Sequence, residues 1–107
     1  MRIEVLYFSG CPSFEALLPR LRSLLEQQGA GERIELRLVE TTEEAESERF
    51  LGSPTVRIDG EDIDPEAANR SDFGLKCRLY RSAGGTGGIP PIEMITAALR
   101  RAGLVGP

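Results

Sequence analysis

Two cysteines and the complete absence of histidine define the chemistry open to this chain. The 107 residues include Cys11 and Cys77 and no histidine. A histidine-assisted nucleophile, a histidine proton shuttle and a histidine-containing zinc site are therefore impossible within the chain. A reactive thiolate would have to be stabilised by a helix N-terminus, an arginine or a lysine instead.

Cys11 stands between an apolar run, residues 3–8, and a helix that the sequence predicts to begin at Pro12. At such a junction, unpaired backbone N–H groups and the positive end of the helix dipole stabilise a thiolate. Both effects lower the pKa of a cysteine below its free value of about 8.5. The position favours a reactive Cys11, and the alternative is a small buried residue that fills a strand end.

Hydrophobic periodicity predicts the elements that position Cys11. In chain order they are a strand at 2–8, an amphipathic helix at 12–28 that Pro19 kinks, and a strand at 33–39. A short acidic helix follows, which begins with a capping box of Thr41 and Glu44 and ends near 51–52. The first strand is apolar on both faces towards its end, which is typical of the middle of a sheet.

The second half of the chain predicts a hairpin, an insertion and a last helix. Asp59-Gly60 is a two-residue turn signal between a strand entered through Ser53-Pro54-Thr55 and a return strand at 61–63. An insertion follows at 64–89. Pro90-Pro91 then begins a helix that is predicted to extend to about residue 102. Its predicted core-facing side chains are Ile92, Ile95, Leu99 and Ala102. The order β-α-β-α-β-β, insertion, α predicts a single α/β domain over residues 1–107.

The insertion carries the second cysteine. Residues 75–81 alternate like a short strand, and Leu75, Cys77 and Leu79 share one face, which favours a buried structural role for Cys77. The alternative is a lid that returns to the end of the sheet where Cys11 lies, so that Cys77 faces it across a cleft. The glycine run 84–88 is predicted to be a loose turn, because it lacks the lysine and hydroxyl of a phosphate loop.

Composition excludes several classes of partner. With 13 Lys plus Arg against 17 Asp plus Glu, the net charge is -4, so no basic surface for nucleic acid is expected. No apolar window approaches the length of a membrane span, and the N-terminus lacks a secretory signal. We therefore expect a cytoplasmic protein with no membrane partner, in which both cysteines are free thiols.

The set of motifs resembles the thioredoxin fold over residues 1–63 and 90–102. In that family a cysteine opens a proline-kinked helix, and a cis-proline before the third strand faces it. Position by position, Cys11 matches the nucleophilic cysteine, Pro19 the kink and Pro54 the cis-proline, whereas Phe14 stands where the resolving cysteine would be. The resemblance implies Cys11 as the catalytic residue and a substrate-binding surface of Pro12, Ser13, Phe14, Ser53, Pro54 and Thr55.

The function that this resemblance implies is thiol–disulfide exchange or a redox response through Cys11, with a small thiol or a disulfide client as partner and no cofactor. Since Phe14 cannot close the usual internal disulfide, Cys77 is the candidate for resolving a mixed disulfide. Ser13 and the backbone amides at the helix start would hold the thiolate.

Two alternatives remain open. Two thiolates suit a soft metal such as Hg(II) or Cu(I), and a pair of widely spaced cysteines resembles the organomercurial (alkylmercury) lyases, which also use an aspartate. Phe14 occupies the position of that acid, so Asp62, Asp64 or Asp72 would have to replace it. The other alternative is a binding module without chemistry, which holds a peptide in the groove beside Pro54.

Overall fold

A computed structural model describes residues 1–29 and 34–103. The fold is organised around β1 (Ile3–Tyr7), whose apolar side chains on both faces require cover from both sides. It pairs in parallel with β2 (Ile34–Leu38) and antiparallel with β3 (Thr55–Ile58), which pairs with β4 (Glu61–Asp62). The result is a mixed four-stranded sheet in the order β2-β1-β3-β4.

Helices cover both faces of this sheet, which confirms the α/β class. Two of them, α1 (Pro12–Gln27) and α3 (Ile92–Arg101), bury their apolar stripes in the larger core. On the opposite face, α2 (Thr42–Ser47) contributes to a smaller core that consists of Leu6, Val39, Ala45 and Phe50. None of the helices in the described part of the chain is both long and apolar enough to cross a membrane.

Between β4 and α3 the insertion has more structure than the sequence indicated. It contains a 3₁₀ helix (Pro65–Asn69) and a hairpin of β5 (Tyr80–Ser82) and β6 (Gly85–Gly87). The glycine run predicted to be a loose turn therefore contributes a strand. The predicted strand at 75–81 is displaced towards its C-terminal end, and only its last two residues belong to β5.

The prediction that Cys77 belongs to the core is wrong, because the insertion buries the opposite set of side chains. Cys77 is exposed, and Leu79 is 64% exposed, whereas Arg78 and Tyr80 are 1% exposed. Arg78 is paired with a carboxylate and the Tyr80 hydroxyl with a carbonyl. These polar contacts allow the two larger side chains to be buried, and of the Arg78 guanidinium only Nε lacks a hydrogen-bond partner.

Two boundaries also differ from the prediction. Ile92 is 60% exposed because it lies in the first turn of α3, at the margin of the core that Ile95 and Leu99 fill. The short acidic helix ends at Ser47, since Arg49 adopts a positive φ of 56°. Its predicted start is confirmed: the Thr41 hydroxyl accepts a hydrogen bond from the Glu44 backbone N–H at 3.1 Å.

Candidate functional site

Cys11 lies where the sequence predicted, immediately before α1. Its backbone is extended, with φ -79° and ψ 110°, and its carbonyl accepts the first helical hydrogen bond, from the Glu15 N–H at 3.3 Å. The residue is only 1% exposed. A cavity of about 540 Å³ lies near β4 and the 3₁₀ helix and is lined by neither cysteine. A reagent in solution therefore reaches the Cys11 sulfur only after part of the structure moves.

The end of β1 that leads to Cys11 adjoins the segment that enters β3. The register of the two strands places Thr55 beside Leu6, and the Ser53 hydroxyl accepts a hydrogen bond from the Phe8 N–H at 3.4 Å. The Ser53–Pro54 peptide bond is cis. Ser53, Pro54 and Thr55 are buried, so these predicted substrate-binding residues lie beneath other parts of the chain.

The insertion brings Cys77 beside Ser53, in the segment that enters β3. Cys77 forms an isolated parallel bridge with Ser53, in which the Ser53 N–H donates to the Lys76 carbonyl at 2.9 Å and the Arg78 N–H donates to the Ser53 carbonyl at 3.0 Å. The chain itself thus occupies both backbone groups of Ser53. A peptide that paired with the backbone of Ser53 would first have to displace Lys76–Arg78, which we call the docking strand.

Gly52 permits the close approach of the docking strand. Its φ is +124°, and a Cβ at this position would stand 3.0 Å from both the Arg78 nitrogen and the Lys76 carbonyl oxygen. A side chain would therefore clash with backbone atoms of the docking strand, which cannot rotate away. Both the backbone conformation and the space at this position favour glycine.

Arg78 fixes the docking strand to the sheet. Its side chain is fully buried and donates two hydrogen bonds to Asp62, at 2.6 and 2.9 Å, and one to the Thr55 hydroxyl at 3.2 Å. The guanidinium also lies over the ring of Tyr80, 4.5 Å from its centroid. Burial alone would lower the pKa of Arg78, but the hydrogen bonds to Asp62 and the neighbouring charges of Tyr80, Asp62 and Asp64 together outweigh it, so that the pKa is raised. Arg78 is therefore a charged anchor and does not face Cys11 as a free cation.

Tyr80 binds the backbone of Pro54, next to the Ser53 that the docking strand contacts. Its hydroxyl donates to the Pro54 carbonyl at 2.5 Å, and burial raises the pKa of that hydroxyl. Arg78 and Tyr80 together connect the residues on either side of Pro54 to the segment that carries Cys77.

The first turn of α1 is packed rather than open. The ring of Phe14 stacks on that of Tyr7, with centroids 3.9 Å apart and planes 4° from parallel. Gly88 lies so close to Ser13 that a Cβ on Gly88 would overlap the serine hydroxyl. Pro12 and Glu15 are exposed in this turn, whereas Ser13 and Phe14 are partly buried. The insertion therefore contacts the helix start directly, through Gly88, as well as Ser53, through the docking strand.

The acidic residues named for the lyase alternative are already ion-paired. Asp62 and Asp64 face Arg78, at 2.6 and 3.9 Å, and Asp72 is bound by Arg70 and Lys76, which hold its pKa well below the usual range. With its pKa held low, Asp72 has no proton to give to a leaving carbon at neutral pH. Among the described residues, no group of three or more cysteine, aspartate or glutamate side chains could hold a metal ion. A soft metal would have to bind the two thiolates alone.

The residues that place Cys77 were not found from the sequence. Gly52 is far along the chain from Arg78 and Tyr80, and each of the three residues has an ordinary alternative role in a turn, on a surface or in a core. A glycine immediately before Ser-Pro is the one local signal that a close backbone approach could occur here.

Comparisons with models of protein families, with curated proteins and with solved structures found no match for this chain. Its function therefore has to be inferred from its own residues. The relevant geometry consists of a buried thiol at a helix N-terminus and an exposed thiol on a strand that docks against Ser53. The structure places both thiols in the free state.

Proposed function

We propose that this protein is a thioredoxin-like dithiol protein that exchanges electrons with disulfides through Cys11 and Cys77. The observation that carries the proposal is the backbone bridge between Ser53 and Cys77, because Ser53 also binds Phe8, three residues before Cys11. Neighbouring strands in a sheet lie about 5 Å apart, so two strand spacings separate the backbone of Cys77 from the end of β1. The resemblance to the thioredoxin fold supports the same reading of Cys11.

The different exposures of the two thiols favour an order of reaction. A client disulfide in solution meets the exposed Cys77 first, whereas Cys11 is 1% exposed. The Cys77 thiolate attacks one client sulfur, the client S–S bond breaks, and the first client thiolate leaves and takes up a proton. This order reverses the one that the sequence suggested, in which Cys11 attacks and Cys77 resolves.

The second step returns the client as a dithiol. The Cys11 thiolate attacks the Cys77 sulfur of the mixed disulfide, and the second client thiolate leaves with a proton. Two electrons and two protons pass from the protein dithiol to the client, and the protein retains a Cys11–Cys77 disulfide. Forming that bond requires the two Cα atoms to come within about 7 Å of each other.

The proposal is tested by treating the reduced protein with a small disulfide such as glutathione disulfide and mapping its peptides by mass spectrometry without reduction. We expect the unaltered protein to form an intramolecular Cys11–Cys77 bond. Cys11→Ser should instead accumulate a mixed disulfide at Cys77. Cys77→Ser should remain unmodified at Cys11 while the protein is folded and react there once urea unfolds it.

A matched control tests whether the position of the second thiol matters. Ser71 is exposed and lies in the same insertion, so the variant Cys77→Ser/Ser71→Cys keeps an exposed thiol away from the docking strand. This control should form a mixed disulfide but no bond to Cys11. An equally fast bond to Cys11 in the control, or no Cys11–Cys77 bond in the unaltered protein, would contradict the proposal. Binding of Hg(II) that is lost in either single variant, without disulfide exchange, would favour the soft-metal alternative.

A further inference from the structure

The outer edge of β2 is the longest unpaired edge of the sheet in the described part of the chain. β2 is the terminal strand in the order β2-β1-β3-β4 and has five residues. Two of its side chains, Leu36 and Leu38, are 42% and 41% exposed. The opposite edge strand, β4, has only two residues, both acidic, which protects it from pairing with another chain. The two edges therefore differ in their capacity to accept a further strand.

The direction of the free hydrogen-bonding groups follows from the pairing of β2 with β1. The Val39 N–H donates to the Tyr7 carbonyl at 2.8 Å, so the backbone groups of alternate residues, 35, 37 and 39, point towards β1. Those of Ile34, Leu36 and Leu38 consequently point outward. Three evenly spaced N–H and C=O pairs are thus available to a strand that approaches this edge.

The sequence of β2 is complementary to itself in an antiparallel arrangement. If two copies pair about Leu36, each Leu36 faces its counterpart and Ile34 faces Leu38 of the other copy. Glu35 then faces Arg37 of the other copy, and the two-fold axis produces this contact twice. The charged pairs fall at the positions without backbone hydrogen bonds, where opposed side chains lie closest.

The surrounding charges agree with this arrangement. Glu35 and Arg37 lie on the face of the sheet where Arg37 contacts Glu4 at 3.1 Å and Glu48 at 2.7 Å, and Arg2 contacts Glu35 at 3.4 Å. This cluster contains both signs of charge. In the antiparallel register, Glu35 of each copy therefore meets Arg37 of the other. Like charges at directly opposed positions would instead disfavour pairing of the two copies.

We propose that the outer edge of β2 binds a second copy of this chain, joining the two sheets into one through antiparallel β2–β2 pairing. The edge accepts a strand by its backbone groups and selects its own copy by the alternation of Glu35, Leu36 and Arg37. The contact lies on the opposite side of β1 from β3 and does not depend on the redox chemistry of Cys77.

Sedimentation velocity over a range of concentrations tests this proposal. The unaltered protein should approach twice the monomer mass. Glu35→Arg and Arg37→Glu should each weaken dimerisation about tenfold, because the symmetry applies each like-charge contact twice. An equimolar mixture of these two variants should form a heterodimer, since the acidic pair of one copy then faces the basic pair of the other.

The mixture separates a lost contact from a lost fold, because misfolded variants would not recover on mixing. Leu36→Lys places two cations at the two-fold axis and should also give a monomer, whereas Leu79→Lys, at a residue that is 64% exposed and lies outside the edge, should leave the dimer intact. A protein that remains monomeric up to about 1 mM would overturn the proposal. A dimer that is unchanged in all the β2 variants would do so as well.

Discussion

Replacing Arg78 with methionine should remove the anchor of the docking strand at a large cost in stability. The guanidinium is fully buried, bonds Asp62 at two points and the Thr55 hydroxyl at one, and lies over the Tyr80 ring. Breaking one side of a buried ion pair costs about 3–5 kcal/mol, because the remaining charge is left without a partner. The Asp62 side chain is 14% exposed, so water compensates in part, and we expect about 3 kcal/mol.

Such a loss is a large share of the roughly 5–15 kcal/mol that stabilises a typical domain. Urea unfolding followed by circular dichroism measures it, with Arg81→Met as the control, since Arg81 is an exposed arginine of the same segment. The double variant Arg78→Met/Asp62→Leu should recover at least about 1 kcal/mol relative to Arg78→Met, because it removes the stranded carboxylate. Equal free energies of unfolding for Arg78→Met and Arg81→Met would refute the anchoring role.

Two further predictions concern the same junction. Gly52→Ala should lower the free energy of unfolding by about 1–3 kcal/mol, because the new Cβ meets the docking strand at a backbone conformation unfavourable to side chains. Thermal unfolding measures this loss. Gly74→Ala is the control and should change the stability little, because a Cβ at Gly74 has no other atom within 4 Å. Tyr80 makes the stability of the protein depend on pH, because burial raises the pKa of its hydroxyl in the folded state. Its contribution to the free energy of unfolding is complete below the unfolded pKa of about 10 and is lost as the pH rises above that value. The Tm should therefore fall less steeply between about pH 8 and pH 11 in Tyr80→Phe than in the unaltered protein. Equal slopes of Tm against pH would contradict this role of Tyr80.

The elements that depend on local sequence were predictable. The apolar stripe of α1, the Thr41 cap and the Asp59-Gly60 turn each depend on neighbours within a few residues, and the structure contains the corresponding elements. Propensity, capping and turn chemistry act over that range. The position of Cys11 before α1 was accessible for the same reason.

The insertion was predicted poorly because its structure depends on long-range pairing. Alternation over 75–81 is compatible with either face being buried, and the ion pair of Arg78 with Asp62 decides between them. A one-residue change of register exchanges the two faces of a strand, so this single contact reverses the exposure of Cys77. Burial of Cys11 was likewise beyond local reasoning, because it depends on how the rest of the chain packs around the helix start.

The docking strand also has a consequence for the order in which the chain folds. The hydrogen bonds that fix it join residues 23 and 26 positions apart, Thr55 to Arg78 and Pro54 to Tyr80. Contacts at such separations require closure of a long loop, whereas a helix or a hairpin forms from local contacts. We therefore expect β3 and β4 to assemble before the docking strand attaches. The two thiols would then come to the same end of the sheet only in the last stage of folding, so an incompletely folded chain would carry two independent cysteines instead of the pair that we propose exchanges electrons.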